Sequence, residues 1–291
     1  FYRSVRVLPL PDDLATPGGE NVAADDVFRR IIDLGVRGYP MADLHVHLKS
    51  GFNLEQAIAK SQRDGLMYGI AENCGVGNAV TDDAGARAFV ERLRGQPVFT
   101  AMQAEGREWT GMFSRSVVAL FDYVFTDSMT WTDNRGRRMR TWIPREVGTI
   151  ADAQEFMDTL VDWAVAILEQ EPIDIYVNPT FLPDQLAKDY ETLWTEARRK
   201  RIVTAAAANG VAIEINDRYK LPSPSFIQMM KAGGCKFTFG TNNAGAADMG
   251  RDEYGLRMID ECKLTSQDFW VPLAPGSTKA VDRKGGMLKN A

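Results

Sequence analysis

The sequence predicts an α/β barrel of parallel strands, and three observations predict it. Short apolar runs recur along the chain, amphipathic helix-like stretches separate most of them, and every run ends in polar residues. Continuous apolar runs bounded by turn residues suit strands buried on both faces, as in a parallel sheet. Their alternation with helical stretches reads as successive βα units. The length of 291 residues allows one large domain or two small ones and does not decide between them, since barrels of this size are common single domains.

Residues 1–38 hold Pro9, Pro11, Pro17 and a glycine pair, then the amphipathic stretch 25–34. They read as an N-terminal extension that packs on the barrel or on a partner. The barrel itself is expected over 39–268. Its strands are the runs Met41–Val46, Met67–Ala71, Val98–Gln103, Tyr123–Phe125, Ile173–Val177, Val211–Ile215 and Lys236–Phe239. That is seven against the usual eight, so either an eighth strand is hidden or the barrel has seven. Between them lie the helical stretches Leu54–Arg63, Ala84–Leu93, Ala153–Glu169, Leu193–Asn209 and Ser225–Lys231. Ser128–Gly148, with two Trp and five Arg, is an excursion after the fourth run. A loop of that length in a compact domain is usually functional. It either closes over its own pocket or reaches a neighbouring subunit, which leaves a homo-oligomer open. Residues 269–291 are rich in Pro, Gly and Lys and read as a tail wrapping the surface.

Composition narrows the function classes. A hydrophobic share of 45% and a charged share of 25% are those of a globular protein able to fill a core. A net charge of −5 provides no electrostatic footprint for nucleic acid or for a membrane surface. The basic runs Arg198–Arg201 and Arg135–Arg140 read as solvated faces or loop charges. No apolar stretch approaches the ~20 residues of a membrane span. Cys74, Cys235 and Cys262 are odd in number and far apart, which argues against a disulfide framework or a zinc cluster. The compartment stays open: cytoplasmic, or exported if a leader preceded Phe1.

In a parallel barrel the carboxyl ends of the strands converge on one face, where the chemistry sits. The first run ends in Asp43-Leu-His45-Val-His47, the second in Glu72-Asn73 and the third in Glu105-Gly-Arg107. The fourth reaches Asp127 and the fifth Asn178-Pro179; the sixth carries Glu214, Asn216 and Arg218, and the seventh Thr241-Asn242-Asn243. His45 and His47 are the only two histidines. Residues i and i+2 of a strand point the same way, so both imidazoles can face one ion. A third, carboxylate ligand must come from another strand, and Glu105 is the expected one.

These residues resemble the polymerase-and-histidinol-phosphatase (PHP) family of metal-dependent hydrolases, from about Ala42 to Cys262. The segment ADLHVH looks like the family's opening HxH motif. GLMYGIAENCG sits at its second strand, AEGRE is placed like its bridging glutamate, and YVNPTF like its His-Pro motif. AIEINDRYKLPSPSFIQMMKAGGCKFTFGTNNA follows its last two βα units. The resemblance implies a distorted (βα)7 barrel, two or three metal ions and hydrolysis of phosphate esters. The departures are systematic. Asn73 and Ala244 stand where the family has histidines, and Asn53 lies near a third such position. Asn178 replaces the histidine of the His-Pro motif, and the fourth-strand histidine is missing around Asp127–Thr130. What survives is one metal site: His45, His47 and Glu105, with Asn242 in place of an aspartate.

The expected cofactor is therefore one divalent ion, zinc first, with manganese or iron as alternatives. Asp127 and Glu72 are the candidate general bases, Asp127 being also a candidate fourth ligand. Arg107 joins the catalytic group as an anion clamp, with Lys49, Arg218 and Lys220 as further anchors. Asn73, Asn178 and Asn243 are expected to hydrogen-bond the substrate. Trp109, Trp131 and Trp142 read as core or loop packing, or as walls of the pocket. Glu214 reads as a barrel residue paired with an arginine. Three functions stay open. The first is a metal-dependent hydrolase of a small anionic, phosphoester-like molecule, the second an inert barrel that binds a small polar ligand. The third is a lyase or isomerase using the ion as a Lewis acid.

Overall fold

The computed structural model describes residues 26–132 and 136–289. Its strands are β1 (Ala42–Val46), β2 (Met67–Gly75), β3 (Phe99–Glu105), β4 (Tyr123–Thr126), β5 (Thr130–Thr132), β6 (Arg138–Arg140), β7 (Ile175–Tyr176), β8 (Ala212–Asn216) and β9 (Phe237–Gly240). Among the described residues, β1-β2-β3-β4-β7-β8-β9 close into one parallel barrel, and β5 and β6 form a separate antiparallel hairpin. The fold is a single-domain, TIM-like (βα)7 barrel. All seven apolar runs are strands of it. The largest departure is β2, which continues past Ala71 because Glu72, Asn73, Cys74 and Gly75 stay paired with Met102, Gln103, Ala104 and Glu105.

Local signals set the helix ends. The helix Leu54–Asp64 begins at Asn53, whose side chain accepts from Gln56 N while Gln56 accepts from Asn53 N, and it stops at Gly65. Asn53 is thus a helix cap. The helix Asp26–Val36 buries Phe28, Ile31 and Leu34, and Arg30 donates to Leu256 O across to the helix Glu253–Glu261. The rest of the expected N-terminal extension lies outside the described residues. The tail from Phe269 lies under the amino-terminal ends of the strands: Trp270 N donates to Phe237 O, and Ala280 N to Asp174 Oδ1. Among the described residues no helix is long and apolar enough to cross a membrane, and the three cysteines are buried and free.

Two apolar layers result. The larger lies between strands and helices. The smaller fills the lumen with Ala42, Leu44, Phe99, Tyr123, Phe125, Ile175 and their small neighbours, all on strands or strand ends. The pairing of β1 shifts register between Asp43 and Val46. Such an irregularity re-aims side chains, and here His45 follows Leu44 into the lumen, its ring 4.6 Å from that of Phe125.

Outside this lumen, Asp252 precedes the helix Glu253–Glu261, fully buried, and among the described residues neither carboxyl oxygen has a hydrogen-bond partner. Burial, then repulsion from Asp43, Asp217 and Glu214, holds its carboxyl well above the ordinary range. The group stays neutral in the fold but ionises on unfolding, so it erodes stability as pH rises above its unfolded value. Asp252→Asn should therefore raise the melting temperature by an amount that grows from about pH 4 to about pH 8. Thermal unfolding across that range checks this; parallel curves for the two proteins would contradict it.

Candidate functional site

Above the apolar plug, one buried carboxylate organises the mouth. Glu214 Oε1 lies 2.6 Å from His45 Nδ1, and Oε2 accepts from Asn178 N (2.6 Å) and Asn216 Nδ2 (2.9 Å). Both His45 and Glu214 are fully buried. The carboxylate can only accept, so the proton of a neutral His45 ring sits on Nδ1 and Nε2 presents its lone pair. Among the described residues Nε2 has no hydrogen-bond partner. The partner of Glu214 is thus a histidine, not the arginine expected from sequence. The arrangement depends on Gly240 of β9: a Cβ there would sit 2.1 Å from Glu214 Oε1 and 2.9 Å from His45 Cβ.

His47 lies beside it, the ring centroids 5.3 Å apart. Burial, then the charges of His45 and Lys49, push its imidazole well below the ordinary value, which leaves it neutral and able to ligate. Asn243 is buried and clamps the end of β1: Oδ1 accepts from His47 N (2.7 Å) and Nδ2 donates to His47 O (2.9 Å). Its amide is spent on this backbone, not turned to a substrate.

The third and fourth strands bring two carboxyls that repel each other. Glu105 is pushed up to about 7 by burial and then by the charge of Asp127, while Arg107, Gln103 and Asn73 oppose the shift. Glu105 Oε1 accepts from Gln103 Nε2 (2.8 Å) and Asn73 Nδ2 (3.1 Å). Asp127 is raised by burial, against hydrogen bonds from Asn178 Nδ2 and Met129 N, both 2.8 Å long. Asn178 and Asn242 both adopt positive φ, 45° and 43°, a region asparagine enters more readily than most residues. Asn178 Oδ1 accepts from Asn242 Nδ2 (3.0 Å) and Asn216 Nδ2 (3.1 Å), so the amides form a chain linking Asp127 to Glu214.

Other predicted residues lie around this group. Arg107 Nη1 pairs with Glu171 (2.6 Å), and Nη2 donates to Thr126 Oγ1 and Asp127 O, both at 2.9 Å. Its guanidinium anchors the end of β4 and is not an open clamp. Glu72 points away from Asp127 and faces Arg92 at 3.8 Å. Lys49 Nζ reaches Asn243 O (3.3 Å) and Arg218 Nη1 reaches Asn242 O (3.1 Å), both at the rim. Lys220 is exposed one turn further out, beside a cavity of about 300 Å³ shared with Asp217 and Tyr254. Trp109 is buried with Nε1 on Glu171, Trp131 packs on Phe156 with centroids 5.8 Å apart, and Trp142 is exposed. Among its described residues the excursion meets the mouth at its root, where the Thr130 hydroxyl lies 3.4 Å from Glu105 Oε2.

Gln103 and Gly240 had no place in the sequence reading. Counting back by two from Glu105 would have found Gln103 on the same inward row. Gly240 had no comparable signal, because its role is the absence of a side chain.

Among the described residues no three His, Cys, Asp or Glu side chains converge as a finished metal cage. The donors form a partial set: an unpartnered His45 Nε2 oriented from behind by a carboxylate, a neutral His47, and Glu105 Oε2 with only Thr130 nearby. In donor chemistry this fits one ion. Asparagines take up the neighbouring carboxyl oxygens where more ions would need them. Compared with known proteins, the chain matches no family model and no curated protein.

Gly240→Ala tests the packing of this group. The added methyl must displace Glu214 or His45, so unfolding free energy should fall by about 1–3 kcal/mol, as for other overpacked cores. Chemical denaturation reads the change, and an unaltered midpoint would rule out the close approach.

Proposed function

We propose that the barrel mouth is the active site of a hydrolase for a small anionic, phosphoester-like molecule, working with one divalent ion. The ion would be zinc, or else manganese or iron, held by His45, His47 and Glu105 with Asn242 alongside. The carrying observation is His45: Nδ1 engaged by Glu214 and Nε2 buried without a partner. Burying a polar nitrogen unsatisfied is costly, and such groups usually mark a site that something else completes. The PHP resemblance supports the same reading, and so does the mutual repulsion of Glu105 and Asp127, which a cation relieves.

A divalent ion supplies Lewis acidity there, drawing charge from a phosphoryl oxygen and from water. The chain's own residues do the rest. Of the two candidate bases, Asp127 stands at the mouth; its raised affinity for protons suits it to accept one from water near neutral pH. Asn178 fixes the orientation of that carboxyl, and Arg107 steadies the strand end beneath it. Lys49 and Arg218 hold the anion from the rim.

One observation favours a second reading, a barrel that binds a small polar ligand without catalysis. Asn73, Gln103 and Asn178 spend amide hydrogens on Glu105 and Asp127, which lessens the need for a cation. Elemental analysis of protein purified without added metal or chelator separates the two. The hydrolase reading expects about one ion per chain, lost in His45→Ala with the fold kept by circular dichroism. Metal far below stoichiometry in folded protein favours the second reading. Glu214→Gln should weaken metal affinity by about 10–100-fold, as for other partners of ligand histidines. Titration with a competing chelator measures this, and equal affinity would mean Glu214 does not act through His45.

A further inference from the structure

A cavity of about 460 Å³ opens between the loops that follow β1 and β2. His47 and Asn73 stand at its inner end, and Asn73 also donates to Glu105 Oε1, so the cavity abuts the carboxyl group of the mouth. Its apolar walls are built by Phe52, Leu54, Ile70 and Phe89, and Asn53, Glu72 and Arg92 line it as well. That volume is in the range of small-molecule sites, which are typically apolar with a few placed polar groups. The apolar walls therefore await an apolar body, and the polar end fixes where its head must lie.

The rim shows what the head is. Lys49 lines this cavity and Arg218 the one of about 300 Å³ beside Lys220; their Nζ and Nη1 rest on the carbonyls of the consecutive residues Asn243 and Asn242, which brings two positive charges together. Among the described residues neither forms an ion pair within 4 Å. Arg92, at the outer wall, faces Glu72 at 3.8 Å and lies over the Phe89 ring at 5.1 Å, so its charge is already answered. Arg218 lies over the Tyr219 ring at 5.6 Å, and Lys49 and Arg218 are the cations near the histidines that have no carboxylate within 4 Å among the described residues.

We infer that this site takes a phosphomonoester of an apolar alcohol or phenol, its phosphate between Lys49 and Arg218 and its hydrocarbon group against Phe52, Leu54 and Phe89. This rests on the hydrolase reading for the choice of phosphate and extends it to the rest of the molecule. The head lies over His47, and the cavity selects the leaving group by hydrophobic burial.

A ladder of n-alkylphosphonates, methyl to hexyl, tests this by calorimetry on the full chain. Phosphonates keep the dianionic head and carry no ester to hydrolyse, so binding is read apart from turnover. Dissociation constants should fall by about fourfold per added methylene until the cavity is full. Leu54→Asn and Phe52→Ser should each flatten that dependence while sparing methylphosphonate. Arg218→Gln should weaken every member by about tenfold or more and leave the slope unchanged. An affinity indifferent to chain length, a slope untouched in both cavity variants, or no binding of any member overturns the inference. A clear slope without turnover of any phosphoester leaves this inference standing and removes the hydrolase reading. Turnover of small polar phosphoesters with a flat ladder does the reverse.

Discussion

The mouth of this barrel depends on how Glu214 is satisfied. A carboxylate with no access to water costs several kcal/mol unless hydrogen bonds replace its hydration. Glu214 meets that demand with three donors from three places: His45 on β1, the Asn178 backbone after β7, and Asn216 on its own strand. These donors can meet only if β1 and β8 approach across β9, and β9 permits it by having Gly240 between them. The closure of the barrel and the orientation of His45 are therefore one constraint. A barrel that failed to close would leave the charge unpaired, and a charge left unpaired would oppose closure.

From Glu214 the order spreads through amides. An asparagine carries both donor and acceptor, so it can connect two carboxyls that repel each other, as an imidazole bound to an ion cannot. Asn178 does this between Asp127 and Glu214, at a positive φ that a branched side chain would resist. Asn73 and Gln103 both donate to one oxygen of Glu105. Asn73 and Asn178 are thus tied into the carboxyl network, which gives them a structural role of their own. Among the described residues, His45 Nε2 and Gln103 Oε1 are polar atoms of the mouth that this network leaves without a partner.

Much of this was legible in the residues. Apolar runs bounded by turns located all seven barrel strands, since strands buried on both faces need continuous apolar sequence. The polar ends located the mouth, and the two-residue spacing of His45 and His47 placed them together. What stayed hidden was partnership. Arg107 reads as an open clamp until Glu171, 64 residues away, is seen to hold it. Asn243 reads as a pocket amide until its bonds to both backbone groups of His47 appear. Glu72 and Asn73 are neighbours on β2 and so face opposite ways, which separates a rim acid from a mouth amide. Long-range pairing of this kind leaves no trace in spacing along the chain.

The two histidines consequently do different things. His45 is sealed in the lumen, its ring against Phe125 and its Nδ1 committed to Glu214, so its position is fixed before any ligand arrives. His47 is clamped through its backbone by Asn243 and borders the cavity beside Lys49 and Asn73. The HxH spacing therefore pairs a preset inner group with a buried one that borders the cavity, two depths of one site carried on a single strand.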